Sequence, residues 1–326
     1  MESSVLGIHH ITAITDDPQR NIDFYAGVLG LRLVKKTVNF DVPDTYHFYY
    51  GDELGHPGTI LTFFSWPGYP EGRRGSGQIT TISFSVPESA LPYWQKRLAE
   101  HNVRVEGLTT QFGEQVLSFS DPEGLGLALV AQRGAQQLTG WKQGPVPAEY
   151  GIRSFHSATL SVTRAEATKK VLTQVLGFRA LSEEGNRARY EAGSSDNATL
   201  VDVLTVPGER RGMESIGTVH HIAWRTANDE KQLEWRRKIV DAGLNVTPVM
   251  DRVYFHSIYF REPGGILFEI ATDLPGFAVD EAPEELGTHL KLPPWLEDRR
   301  LTLEHDLPAV SIPSIQTDVS RGEQEK

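Results

Sequence analysis

The chain has 326 residues, enough to bury a substantial core and, by the usual relation of length to domain count, about two domains. With 43 acidic against 32 basic residues its formal charge is -11, which argues against a polyanion-binding surface, and no stretch approaches the roughly 18 apolar residues that a membrane span needs. It contains no cysteine, which excludes disulfides, thiolate metal sites and a cysteine nucleophile, so any metal must rest on nitrogen and oxygen donors, the types suited to iron or manganese.

The opening MESSVLGIHH lacks the basic and apolar segments of a secretory signal, and the expected address is cytoplasmic. From Gly7, GIHHITAITDDPQRNIDFYAGVLGL reads as an alternating strand carrying His9 and His10, an Asp-Pro helix start, and a helix closed at Gly30. After the linker PGYPEGRRGSG, a second unit begins at Gln78 with QITTISFSVPESALPYWQKRLAEHNVRV and ends in the hairpin VLSFSDPEGLGLALV from Val116. A second linker, RGAQQLTGWKQGPVPAEYG, leads to SFHSATLSVTRAEATKKVLTQVLGF from Ser154, a copy of the first unit in which VLGF at Val175 echoes VLGL at Val28. VHHIAWRTANDEKQLEWRRKIVDAGLNV from Val219 copies the second unit, and its hairpin, SIYFREPGGILFEIA from Ser257, again turns at an acidic residue, Pro and Gly. The order is therefore A, B, A′, B′, each unit being strand, helix and about three strands, over residues 7–66, 77–132, 153–206 and 217–273. The tail after Asp273 is rich in Pro and Glu and is expected to wrap the surface and lose order beyond about Ile315.

Two of the four first strands carry a histidine pair at the same place, His9-His10 and His220-His221. Because adjacent strand residues point to opposite faces, one histidine of each pair is expected to face a given cleft. Aligning the two hairpins on Pro122 and Pro263 sets Glu269 against Ala128, an acid in the otherwise apolar ILFEIA strand. Such an acid is costly to bury without a partner or a cation. Two imidazoles and one carboxylate leave open positions on a metal, as in non-heme Fe(II) oxygenases. The turn Arg261-Glu262-Pro263-Gly264 makes Tyr259 an approximate cross-strand neighbour of Glu269. A single strand histidine is more often structural, and His47, His56, His156 and His256 are read that way.

The four βαβββ-like units, the paired HH strands and the FEI terminal strand resemble the vicinal oxygen chelate superfamily over nearly the whole chain. Within it, GIHHIT, YHFYYGDELGHPGT, VHHIAW, MDRVYFHSIYFREPGGILFEIATD and LPPWLEDRR are similar to the hydroquinone-type ring-cleaving dioxygenases. The resemblance implies an α+β fold of two curved mixed sheets, with a metal held by His10, His221 and Glu269, namely Fe(II) with Mn(II) as the alternative, and with His9, His220, Arg252 and Tyr259 as catalytic residues around the substrate. It implies opening of an aromatic diol with both atoms of dioxygen inserted. His9 and His220 would hydrogen-bond substrate or shuttle protons, and Arg252 and Tyr259 would stabilise developing anionic charge.

The expected domains are 1–147 (modules 1 and 2) and 148–275 (modules 3 and 4), with an extended tail over 276–326. The expected partners are the aromatic diol and dioxygen, with a homo-oligomer as the assembly and neither nucleic acid nor membrane involved. The third unit sets Ser157 against His10 and His156 against His9, so it offers no equivalent ligand. The ligand set then requires module 1 beside module 4 and module 2 beside module 3. Competing readings are a catechol-type extradiol dioxygenase, a glyoxalase-like isomerase and a non-enzymatic aromatic-binding protein. The isomerase calls for a second carboxylate ligand, which neither GTILTFFSW from Gly58 nor Ala128 supplies.

Overall fold

The computed structural model describes residues 4–135, 140–193 and 199–312. Its core is four modules of one design. The first runs β1 (Ile8–Thr15), α1 (Pro18–Ile22), β2 (Arg32–Val38), β3 (Tyr46–Gly51) and β4 (Ile60–Ser65). The second runs β5 (Gln78–Pro87), α2 (Leu91–Glu100), β6 (Val105–Gln111), β7 (Glu114–Ser120) and β8 (Gly126–Gln132). The third comprises β9 (Phe155–Val162), α3 (Glu166–Lys170), β10 (Arg179–Glu184), β11 (Arg187–Ala192) and β12 (Thr199–Thr205). The fourth comprises β13 (Val219–Thr226), α4 (Asp229–Asp241), β14 (Met250–Asp251), β15 (Phe255–Arg261) and β16 (Leu267–Pro275).

In each module the first strand lies parallel to the fourth, and the other three pair antiparallel, as a helical crossover followed by hairpins requires. Modules join through their first strands, β1 against β13 and β5 against β9, both antiparallel. The result is two eight-stranded mixed sheets, ordered β14-β15-β16-β13-β1-β4-β3-β2 and β10-β11-β12-β9-β5-β8-β7-β6. Module 1 thus sits beside module 4 and module 2 beside module 3, the pairing that the ligand set requires, and each sheet takes one module from either side of residue 147.

Local chemistry explains the elements. The Asp17 carboxylate caps α1 by accepting from the backbone N–H groups of Gln19 and Arg20, with Pro18 at the first helical position. After one turn the backbone widens to a π-helix over Asp23–Val28, and module 3 repeats this at Val171–Val175. Gly30 follows with φ of 70°, a conformation that favours glycine, and a Cβ there would lie 2.6 Å from the Val146 side chain.

The strand alternation breaks in an informative way. Ile8, Ile11 and Ala13 of β1 all enter the main apolar core, as do Val219, Ile222 and Trp224 of β13. Those spacings require a β-bulge, and the register of β1 against β13 skips His9 on one strand and His220 on the other. Both histidines of each pair are therefore displaced from the core-facing row, so that a bulge rather than regular alternation decides which one of each pair faces the cleft.

The tail beyond β16 is held against the edge strand β2. It forms short helical turns at Phe277–Val279, Pro283–Glu285 and Pro294–Arg299 and then α5 (Arg300–Asp306). Lys291 N–H donates to the Lys36 carbonyl, and the Thr37 hydroxyl donates to the Lys291 carbonyl at 2.6 Å. The fully buried Lys35 ammonium lies 2.6 Å from both Asp280 and Glu281. An edge that would otherwise present unpaired backbone groups is thus covered. The expected loss of order beyond Ile315 lies outside the described residues. Among the described residues no helix is long and apolar enough to cross a membrane.

Removing Glu281 leaves Lys35 buried with half of its counter-charge and strips an acceptor from the backbone N–H groups of Gly287 and His289. Glu281→Ala is expected to lower unfolding free energy in urea by about 2–3 kcal/mol. A change under about 0.5 kcal/mol would show that the tail is not anchored through this pair.

Candidate metal centre

The antiparallel pairing of β1 with β13 sets Thr12 opposite His221 and His10 opposite Ala223, while β16 runs parallel to β13 with Glu269 beside Ala223. Three polar side chains from three neighbouring strands therefore meet on one concave face. The His10 Nε2 atom is 3.2 Å from His221 Nε2 and 3.3 Å from Glu269 Oε2, and His221 Nε2 is 2.9 Å from the same oxygen. All three residues are buried, Glu269 completely. They form a group of three donors able to hold a metal.

Donors on one face of an octahedral ion at about 2.0–2.2 Å stand about 2.8–3.1 Å apart, which is close to this triangle. Glu269 Oε2 makes no hydrogen bond although it is sealed from solvent. Its other oxygen accepts a hydrogen bond from the Ser257 hydroxyl on the adjacent strand β15. A buried carboxylate oxygen facing two imidazole nitrogens, with no proton donor of its own, suits a cation better than an empty core. Burial alone would raise Glu269, but the pull of His10 and His221 outweighs it and holds the carboxyl well below its usual range.

Behind the triangle stand the other two histidines. His9 Nδ1 is 2.9 Å from His10 Nδ1, and His220 Nδ1 is 2.7 Å from His221 Nδ1. At these distances one proton between the Nδ1 atoms of each pair would satisfy both, the tautomer that leaves the Nε2 lone pairs of His10 and His221 to converge. His9 is buried against Phe255, with ring centroids 5.0 Å apart, and His220 packs on Phe64 at 5.4 Å. Burial holds His9 well below the ordinary imidazole range and pushes His220 down to about 3, while burial also lowers His221 against the opposing pull of Glu269.

A small, partly open cleft lies over the triangle, and His10 and His221 are on its wall while His9 and His220 are not. Tyr259, directly across the ladder from Glu269, lines it. So does Arg252, whose Nε donates to the Tyr259 hydroxyl at 3.3 Å and whose Nη2 lies 3.0 Å from Asp41. Burial raises the Tyr259 phenol, which stays protonated, while Tyr259 and Asp41 outweigh the burial of Arg252 and keep it cationic. Phe64, Phe255 and Phe40 give the cleft aromatic walls. Phe40 in turn rests on Trp295 of the tail, with ring centroids 5.7 Å apart.

Sequence reasoning missed Ser257, Asp41, Thr12, Tyr49 and, above all, His47, which was read as structural but lines the cleft. Its signal was the alternating polar set in YHFYYG, which is visible only once β3 is known to face the cleft. His156 belongs to the second sheet, where it contacts Glu114 at 3.0 Å and Ser157 at 3.1 Å, and it takes no part in the triangle. His56 and His256 sit at the surface against Asp52 and Asp229.

The Glyoxalase/Bleomycin resistance protein/Dioxygenase superfamily model matches residues 7–129 and 154–270. "Putative ring-cleaving dioxygenase MhqO" of Bacillus subtilis is 48% identical over 94% of this chain and 97% of its own length. The "Chlorohydroquinone/hydroquinone 1,2-dioxygenase" of Sphingobium indicum is 38% identical over 90% of this chain and 93% of its own. The crystal structure of a "putative dioxygenase" from Bacillus subtilis superposes with a TM-score of 0.91 at 46% identity, covering 96% of this chain and 100% of that one.

The lowered imidazoles set a pH dependence. Below about 6.5 the unfolded chain binds protons at His9, His47, His220 and His221 that the folded chain refuses, so stability is full above that pH and declines as pH falls. His56, held up by Asp52, and the carboxyls of Asp121, pushed up by burial to about 6, and Glu214, also raised by burial, work in the opposite sense and offset part of that loss. Urea unfolding of the metal-free protein is therefore expected to show a steady loss of stability from pH 7 to pH 4.5. A flat profile over that window would contradict the buried neutral imidazoles.

Proposed function

The chain belongs to the Glyoxalase/Bleomycin resistance protein/Dioxygenase superfamily, and from that premise we propose that it is a ring-cleaving dioxygenase acting on hydroquinone-type aromatic diols, with Fe(II) as its metal and Mn(II) as the alternative. The observation that carries the reading is the triangle of His10 Nε2, His221 Nε2 and Glu269 Oε2, the last a sealed carboxylate oxygen without a hydrogen-bond donor, with an aromatic-walled cleft above it. The names borne by relatives at 48% and 38% identity support the reaction type, and the second of them the substrate class.

In this reading His10, His221 and Glu269 hold the ion. When bound, it would supply open coordination positions for a diol oxygen and dioxygen and a route for electrons between them. The chain's own groups do the rest. His9 and His220 accept the Nδ1–H of the ligating rings, which fixes ring orientation and raises the basicity of each Nε2. Held neutral and off the cleft wall, they act through the ligands rather than on the substrate. Ser257 steadies Glu269 through its second oxygen. Tyr259 donates its hydroxyl hydrogen toward the oxygen that faces the ion, and Arg252 places a fixed positive charge beside it where anionic character develops. Phe64, Phe255 and Phe40 grip the ring and exclude water, so that these polar groups act in a low-dielectric space.

The isomerase reading needs a second carboxylate closing the coordination sphere. Among the described residues the donor cluster has three members, and Ala128 stands in the second sheet where Glu269 stands in the first. The proposal takes the cytoplasm as the compartment and a homo-oligomer as the assembly. It treats 1–147 and 148–275 as duplicated domains followed by the tail over 276–326, and gives no role to nucleic acid or membrane.

The experiment is anaerobic loading with ferrous ion followed by oxygen uptake with hydroquinone, methylhydroquinone and catechol. Uptake with the para-diols and loss of the aromatic absorbance are expected. His10→Ala, His221→Ala and Glu269→Ala are each expected to weaken metal affinity by at least about 100-fold and to abolish uptake. Metal-loaded protein that consumes no oxygen with any diphenol would instead favour an aromatic-binding protein.

A further inference from the structure

Along the cleft wall runs a hydrogen-bonded chain that the reaction as described leaves unused. Thr12 Oγ1 lies 2.8 Å from Thr62 Oγ1, Thr62 Oγ1 lies 2.9 Å from His47 Nε2, and His47 Nδ1 lies 2.9 Å from the Tyr49 hydroxyl. The register explains the row. Thr12 is opposite Thr62 on β4, and Thr62 is opposite Tyr49 on β3, so the chain crosses three strands at about 4.8 Å each. Both ring nitrogens of His47 are engaged by hydroxyls, and burial keeps the ring neutral, so it accepts on one side and donates on the other. The Tyr49 ring is fixed by Phe277 and Tyr254, with centroids 5.1 and 6.0 Å away. Its hydroxyl is thereby held at one point at the end of the row.

The two polar ends of the cleft are bridged by two phenylalanines. Phe255 lies 4.9 Å from the His10 ring and 6.5 Å from the Tyr49 ring, and Phe64 lies 6.4 Å from His221 and 4.5 Å from His47. Phe255 and Phe64 thus each touch both a ring of the donor triangle and a member of the His47–Tyr49 pair, a wall along which an aromatic ring with one oxygen at the triangle can lie. In a para-diol the second hydroxyl stands across the ring from the first, whereas in an ortho-diol it stays beside it.

We propose that the Tyr49 hydroxyl, oriented by His47, hydrogen-bonds the substrate hydroxyl para to the oxygen that faces His10, His221 and Glu269, and so sets the preference for para- over ortho-diols. This rests on the function proposed above. Tyr49 is then the specificity-determining contact and His47 a positioning residue, with Thr62 and Thr12 fixing the direction of the chain.

The test is a cycle of equilibrium titrations without oxygen. Ferrous-loaded wild type, Tyr49→Phe and His47→Gln are titrated with hydroquinone and with phenol, following tryptophan fluorescence, with iron content measured on the same samples. Wild type is expected to bind hydroquinone about 10-fold more tightly than phenol. In Tyr49→Phe the two ligands should bind within about twofold of one another, with phenol affinity and iron content unchanged. His47→Gln is expected to reduce the ratio about threefold. A merely structural role for Tyr49 would weaken both ligands equally and leave the ratio intact, which overturns the assignment. Should Tyr49→Phe fail to fold, an undiminished ratio in His47→Gln overturns it instead. Wild type that holds no iron sinks the function reading itself, a result separate from an iron-loaded protein whose ratio survives the substitution.

Discussion

The site depends on one interface, the antiparallel ladder between β1 and β13. It joins segments 211 residues apart, and without it His10 and His221 would belong to different sheets. Because β16 lies parallel on the far side of β13, the same ladder delivers Glu269 one strand away. The cost of three inward-facing polar side chains is offset in part by the pull of the two imidazoles on Glu269, and a cation among them would offset it further, since a sealed carboxylate otherwise opposes folding by several kcal/mol. The apolar rows on the opposite face of the same strands supply the core that holds the arrangement closed.

The bulges at His9 and His220 are the second element of the design. A regular strand would send one histidine of each pair into the core, where its ring would need a separate partner. The bulge keeps Ile8 and Ile11, and likewise Val219 and Ile222, in the apolar row and leaves both rings free to meet at Nδ1. The second sheet shows what the same scaffold does without the triangle. There Ser157 and Ala128 stand at the positions of His10 and Glu269. The space holds instead a set of ion pairs in which Arg189 contacts Asp202 at 2.8 Å and Glu114 at 2.6 Å, with His156 on Glu114. Charges paired by side chains have replaced charges gathered for an ion.

Much of this was legible in the sequence because repetition carries information that a single motif lacks. Matching VLGL with VLGF and the two HH strands with each other fixed the module order, and Glu269 stood out as an acid in an apolar strand. From there the pairing of modules 1 and 4 followed from Ser157 standing where a histidine was needed, and the ladder of Tyr259 against Glu269 followed from the hairpin turn. What was not legible depends on register across strands distant in sequence. The row Thr12–Thr62–His47–Tyr49 exists only because β4 lies between β1 and β3. The bulges were in principle readable, since Ile8, Ile11 and Ala13 break a period of two, but the expectation of regular alternation took precedence. The widening of the first helix into a π turn at Asp23–Val28 left no mark in the apolar spacing.

A single cation at the meeting point of three side chains would be seen by anomalous diffraction from crystals grown with manganous or ferrous ion. One strong peak is expected within about 2.3 Å of His10 Nε2, His221 Nε2 and Glu269 Oε2 together, with no other protein ligand. A well-ordered crystal in which that point stays empty while the metal is present, or in which the ion is held elsewhere, would contradict it.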